Sequence, residues 1–91
     1  MQNQRVDNAV FTALERVILE ALRDDSDECR RRMCNTVRDV VESRRRSGVH
    51  VRVTISDLEH IGATVAPTAT NRATTIADAI TTAIGTYYGL R

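Results

Sequence analysis

Residues 25–48 read DSDECRRRMCNTVRDVVESRRRSG, and the interpretation of this run decides how the rest of the chain is understood. Asp25 stands where a helix N-cap belongs and Glu28 follows three residues later. Acids fill the first turn, Arg44, Arg45 and Arg46 fill the last, and Gly48 comes where a helix would stop. Met33, Cys34, Val37, Val40 and Val41 recur at helical spacing and so share one face. Arg31, Arg38 and Arg45 recur every seven residues and line a neighbouring stripe, spaced about 10 Å along the axis at roughly 1.5 Å per residue.

The segments on either side also read as helix, with one exception. Val6 to Arg23 places Val10, Leu14, Val17, Ile18, Ala21 and Leu22 on one side, with Asp7 or Asn8 available as a cap. The junction Arg23–Ser26 contains no Gly or Pro, so a tight helix–helix turn and one continued, bent helix are both open. Beyond Gly48, the run Val49-His50-Val51-Arg52-Val53-Thr54-Ile55 alternates strictly, with four β-branched apolar residues on one face, and predicts a short strand over 49–55. A cap at Thr54 or Ser56 then opens a short helix over 54–65 carrying Leu58, Ile61 and Val65, and a loop at 66–70 contains Pro67. A C-terminal helix over 71–88 places Ala73, Ile76, Ala77, Ile80, Ala83, Ile84 and Tyr87 at helical spacing. The expected fold class is therefore mainly α, in a single small domain spanning 1–91.

A chain of 91 residues with one Phe, two Tyr and no Trp has little area per residue to bury. Association as a homodimer or heterodimer is the expectation, through an interface of Val10, Leu14, Val17, Ile18, Met33, Val37, Val51, Val53, Ile76, Ile80 and Ile84. All 13 basic residues are Arg, but 12 acids bring the formal charge to only +1. Any basic function must be local.

Cys29 and Cys34 fit neither a CxxC pair nor a disulfide framework, and His50 and His60 lack ligand spacing with them, so neither a metal nor a cofactor is expected. Ser56, Asp57 and His60 lie close in sequence, but capping explains them and no oxyanion hole accompanies them. No glycine-rich phosphate loop is present. Enzyme chemistry and a small-molecule substrate are not expected. The polar start MQNQRVDN and the lack of a long uncharged apolar window lead us to expect an intracellular protein that does not enter membranes.

The block Val37-Arg38-Asp39-Val40-Val41, its arginine-rich continuation, and Val51-Arg52-Val53-Thr54-Ile55-Ser56-Asp57-Leu58-Glu59-His60-Ile61 together resemble the end of the histone fold. In that family a long central helix leads through a short loop strand into a Ser- or Thr-capped third helix. The resemblance covers about a quarter of the chain and implies paired subunits that contact DNA.

Ion pairing with Glu28 and Glu42 would contribute only about 0.3–0.5 kcal/mol per pair, too little to account for two arginine triplets. The leading expectation is contact with the phosphates of duplex DNA or RNA by Arg31, Arg38 and Arg45, supported by Arg30, Arg32, Arg44, Arg46 and Arg52. The rival is an assembly subunit that binds protein alone, through the 49–55 edge and the Ile76/Ile80/Ile84 stripe.

Overall fold

The fold is given by a computed structural model that describes residues 2–65 and 68–89, with side chains of the first helix described from residue 9 onward. The chain forms four helices: α1 (Gln2–Arg23), α2 (Asp27–Arg46), α3 (Val51–Val65) and α4 (Arg72–Tyr88). Among the described residues there is no strand. The mainly-α expectation holds, and the strand over 49–55 does not.

The chain breaks between α1 and α2 because Ser26 takes an extended backbone (φ −95°, ψ 157°) and its hydroxyl accepts the Cys29 N–H at 3.2 Å. The cap is thus Ser26, one residue later than Asp25, which instead pairs with Arg30. Asp27 and Glu28 occupy the first turn, where their charge meets the positive end of the helix dipole. At the other end Gly48 adopts φ 83°, its N–H reaches the Arg45 carbonyl at 3.0 Å, and the Val49 N–H reaches the Arg44 carbonyl at 2.8 Å. That pair of bonds is the Schellman arrangement, which closes the open carbonyls of a helix end. Helix α1 already runs from Gln2, so Asp7 and Asn8 lie inside it and not at its start.

The alternation of residues 49–55 misleads because Val51 fits both periods, while Val53, which fits only the strand period, is exposed. Continued downstream, the buried positions are Val51, Thr54, Leu58, Ile61 and Gly62, which is helical spacing. A lone strand would leave its N–H and C=O groups unpaired, whereas a helix closes them within the segment. His50 opens α3, with Nδ1 accepting the Arg52 N–H at 3.1 Å, so the helix begins three residues before Thr54 and Thr54 is buried within it. Val51 and Val53, which the histone-fold resemblance would place in a loop strand, lie in the first turns of α3. Ala66 and Pro67 of the expected loop lie outside the described residues. Helix α4 ends at Gly89, whose φ is 68°.

Arg30 meets Asp78, Cys34 meets Thr82, and Arg45 meets the Tyr87 carbonyl, so α2 and α4 run the same way in register. Helix α2 packs chiefly on α4 and α1, and α3 packs on α4. The molecule measures 34 × 33 × 19 Å, about two helices thick.

Leu14, Val17, Ile18, Met33, Val37 and Val51, expected at a subunit interface, are buried inside this one chain beside Val41, Leu58, Ile61, Ala79 and Ala83. Val10, Ile76 and Ile80 are partly buried against the same core. The interface assignment is corrected for the six buried residues because α3, which residues 49–55 were not expected to join, brings a further helical face that covers them. Of the remaining two, Ile84 is half-buried and Val53 stays 46% exposed.

The α3–α4 crossing depends on Gly62, where an added Cβ would lie 2.7 Å from Ile76 Cγ1. Gly62→Ala adds helix propensity worth about 1 kcal/mol but overpacks a stiff β-branched neighbour at a cost of about 1–3 kcal/mol. The expected result in urea titration is a net loss of stability in the native background. In an Ile76→Ala background, where Cγ1 is gone, the same substitution should stabilise.

Candidate nucleic-acid interface

The eight candidate arginines divide into two groups once their partners are known. Arg30 pairs with Asp25 at 2.7 Å and with Asp78 across the α2–α4 contact. Its hydrogen bond to Asp25 raises the guanidinium pKa further, partial burial opposes that, and the nearby Asp25 and Asp78 charges add to it. Arg32 pairs with Glu28 at 3.0 Å and Glu20 at 3.5 Å, linking α2 to α1. Arg44 is the most enclosed: its side chain is 11% exposed, reaching Asp57 at 2.8 Å and the buried Thr54 hydroxyl at 3.1 Å. These three arginines hold the bundle together.

The other five present uncompensated charge. Arg31, Arg38, Arg45, Arg46 and Arg52 are all exposed, and none takes part in an ion pair among the described residues. Arg38 donates to Asn35 Oδ1 at 3.2 Å and Arg45 to the Tyr87 carbonyl at 3.0 Å; both acceptors are neutral. The expected stripe of Arg31, Arg38 and Arg45 is therefore present and open to solvent, while Arg30, Arg32 and Arg44 are engaged within the chain.

The free charge is concentrated at one corner. Between Glu42 and Asp57 the sequence holds Arg44, Arg45, Arg46 and Arg52 and no acid, and Asp57 is engaged by Arg44. The C-terminus of α2 and the N-terminus of α3 meet there, where the negative end of one dipole opposes the positive end of the other and the arginines set the sign of the local charge. The Arg45–Tyr87 bond brings in the end of α4. His50 then lies against Tyr87 with ring centroids 5.1 Å apart, and Tyr87 meets Tyr88 edge-on at 5.0 Å.

His50, Tyr87 and Tyr88 are site residues that sequence reasoning missed. Aromatic residues beside arginines signal nucleic-acid contact only when they adjoin, and Arg45 and Tyr87 are separated by 42 positions in the chain.

A groove of about 830 Å³ runs toward this corner between α2 and α4. Arg38 and Glu42 form one wall, and Thr81, Thr82, Ile84, Gly85, Thr86 and Gly89 form the other. Hydroxyls and an arginine face the same space.

The remaining candidates do not converge. Cys29 and Cys34 are free thiols, the first near Asp24 and the second accepting from Thr82. Among the described residues no group of three metal-ligating side chains forms, and no helix is long and apolar enough to cross a membrane. Comparison with known protein families, with characterised proteins and with solved structures finds no match for this chain.

The division between structural and free arginines has a direct consequence for stability. Arg44→Gln leaves a half-buried Asp57 carboxylate and a buried Thr54 hydroxyl short of their partner and should cost about 1–3 kcal/mol. Arg46→Gln, at an exposed site, should stay within about 0.5 kcal/mol of the native chain in the same urea titration.

Proposed function

We propose that this chain is a non-enzymatic nucleic-acid-binding protein that grips phosphates with Arg31, Arg38, Arg45, Arg46 and Arg52. The observation carrying the reading is that Arg31, Arg38, Arg45, Arg46 and Arg52 are exposed and take part in no ion pair among the described residues, while Arg30, Arg32 and Arg44 are held by Asp25, Asp78, Glu20, Glu28 and Asp57. Arginine suits the role because its planar fork meets two phosphate oxygens at once.

Phosphate contact has a characteristic salt signature. Each contact releases counterions, so affinity for duplex DNA should fall with log salt at a slope of about −0.9 per phosphate engaged. Fluorescence anisotropy of labelled DNA and RNA across a salt series should show Arg38→Gln and Arg46→Gln each weakening binding evenly across sequences and shallowing the slope by about 1. Arg32→Gln, which alters a charge already paired, should leave the slope nearly unchanged. Absence of binding at low salt, or slopes indifferent to Arg38 and Arg46, would overturn the proposal.

A second reading, self-association, is favoured by a groove of about 380 Å³ between α3 and α4. It is lined by Gly62, Ala63, Ala73, Ile76, Ala77 and Ile80, with Glu59 and Arg72 also on its walls. Opposite charges at one small-residue groove suit a two-fold pairing with a second copy, in which Glu59 of each faces Arg72 of the other. Light scattering after size exclusion should then give a dimer mass that Ala77→Arg reduces to monomer; a native chain that is monomeric throughout removes this reading.

A further inference from the structure

We infer that the corner of α2, α3 and α4 is built for single strands, with the Tyr88 ring as a platform on which an unpaired base stacks while Arg45, Arg46 and Arg52 hold the flanking phosphates. The inference rests on the phosphate-binding reading above and adds the class of nucleic acid that the site takes.

Tyr88 is the most exposed large apolar side chain among the described residues, at 57%, yet it is braced. Tyr87 meets it edge-on, with ring planes 80° apart, and an edge-on contact leaves at least one face of Tyr88 open. Tyr87 is itself positioned twice, by the His50 ring at 5.1 Å and by the Arg45 guanidinium on its carbonyl at 3.0 Å. One guanidinium therefore sits between the phosphate-binding set and the aromatic pair and fixes their relative placement.

Arg46 follows Arg45 at the end of α2 and Arg52 stands in the first turn of α3, where its backbone N–H is bonded to His50 Nδ1; both side chains are exposed. Exposed basic groups interleaved with an open aromatic face are the two elements that bind single strands without sequence preference. A duplex offers its phosphates to such a site but keeps its base faces stacked on one another. Only a strand with unpaired bases can use both elements. The adjoining α2–α4 groove continues from this end of α4, with Arg38 and Glu42 on one wall and Thr81 and Thr86 on the other, while the Thr82 hydroxyl is engaged by the Asp78 carbonyl.

The test compares oligothymidylate of about 12 nucleotides, a length within the range that one small single-strand-binding domain occupies, with a duplex of equal length. Anisotropy is measured on the native chain and on Tyr88→Ala, Tyr88→Phe and Arg46→Gln. The expected result is tighter binding of the single strand by the native chain and an approximately tenfold loss in Tyr88→Ala for the single strand alone, restored by Tyr88→Phe. Arg46→Gln should weaken both ligands. A Tyr88→Ala variant that binds both ligands as the native chain does, or loses affinity for both equally, would overturn the stacking role and leave the phosphate reading standing. Absence of binding to either ligand by the native chain would overturn both.

Discussion

The Arg44 guanidinium is the contact on which the rest of the corner depends. It closes the end of α2 onto α3 by bonding Asp57 and the Thr54 hydroxyl while only 11% exposed. A charge in that setting must be matched, because the penalty of an unpaired ion away from water is far larger than the gain from any surface pair. Meeting that demand engages Asp57. Arg45, Arg46 and Arg52 are exposed and take part in no ion pair among the described residues, so the pairing that stabilises the α2–α3 corner leaves their charge open to solvent.

Packing among small residues completes the arrangement. The chain has a single Phe and no Trp, and it compensates with close helix approach: Ala79 and Ala83 are fully buried on α4, and Gly62 on α3 admits the Ile76 side chain where no Cβ would fit. Close approach gives dispersion contacts that bulky side chains would otherwise supply. Among the described residues the buried Thr75 hydroxyl has no hydrogen-bond partner, a cost that α4 carries. Helix α4 bears Arg72 and Asp78 as its only charges, so its exposed side contributes hydroxyls and tyrosines to the corner.

The parallel register of α2 and α4 connects these features. Arg30 with Asp78 and Cys34 with Thr82 are both 48 residues apart, and Arg45 with Tyr87 is 42. The first two contacts share one register, and the Arg45 side chain reaches six residues off it to the Tyr87 carbonyl, which places an aromatic pair beside a basic cluster. A shift of one turn along α2 would move the Tyr87 carbonyl about 5 Å away from Arg45 and separate the two.

What could be read from residue order alone was whatever is governed by neighbours within a turn or two. The apolar faces of α1, α2 and α4, the helix stop at Gly48 and the exposed Arg31/Arg38/Arg45 stripe are of this kind, since caps, dipoles and side-chain periodicity act over three to seven residues. The helix start at Ser26 was legible to within one residue. The tertiary structure decided the rest. It made residues 51–55 helical, because their pattern fits two periods and only the burial of Thr54 and Leu58 against other helices separates them. It turned an expected interface into a core, because that depends on how many helices one chain can wrap around its own apolar faces. It also chose which arginines are paired and set Tyr87 and Tyr88 beside Arg45, because contacts such as Arg30–Asp78 and Arg45–Tyr87, across 40 or more residues, follow from how the helices pack, which no local pattern encodes.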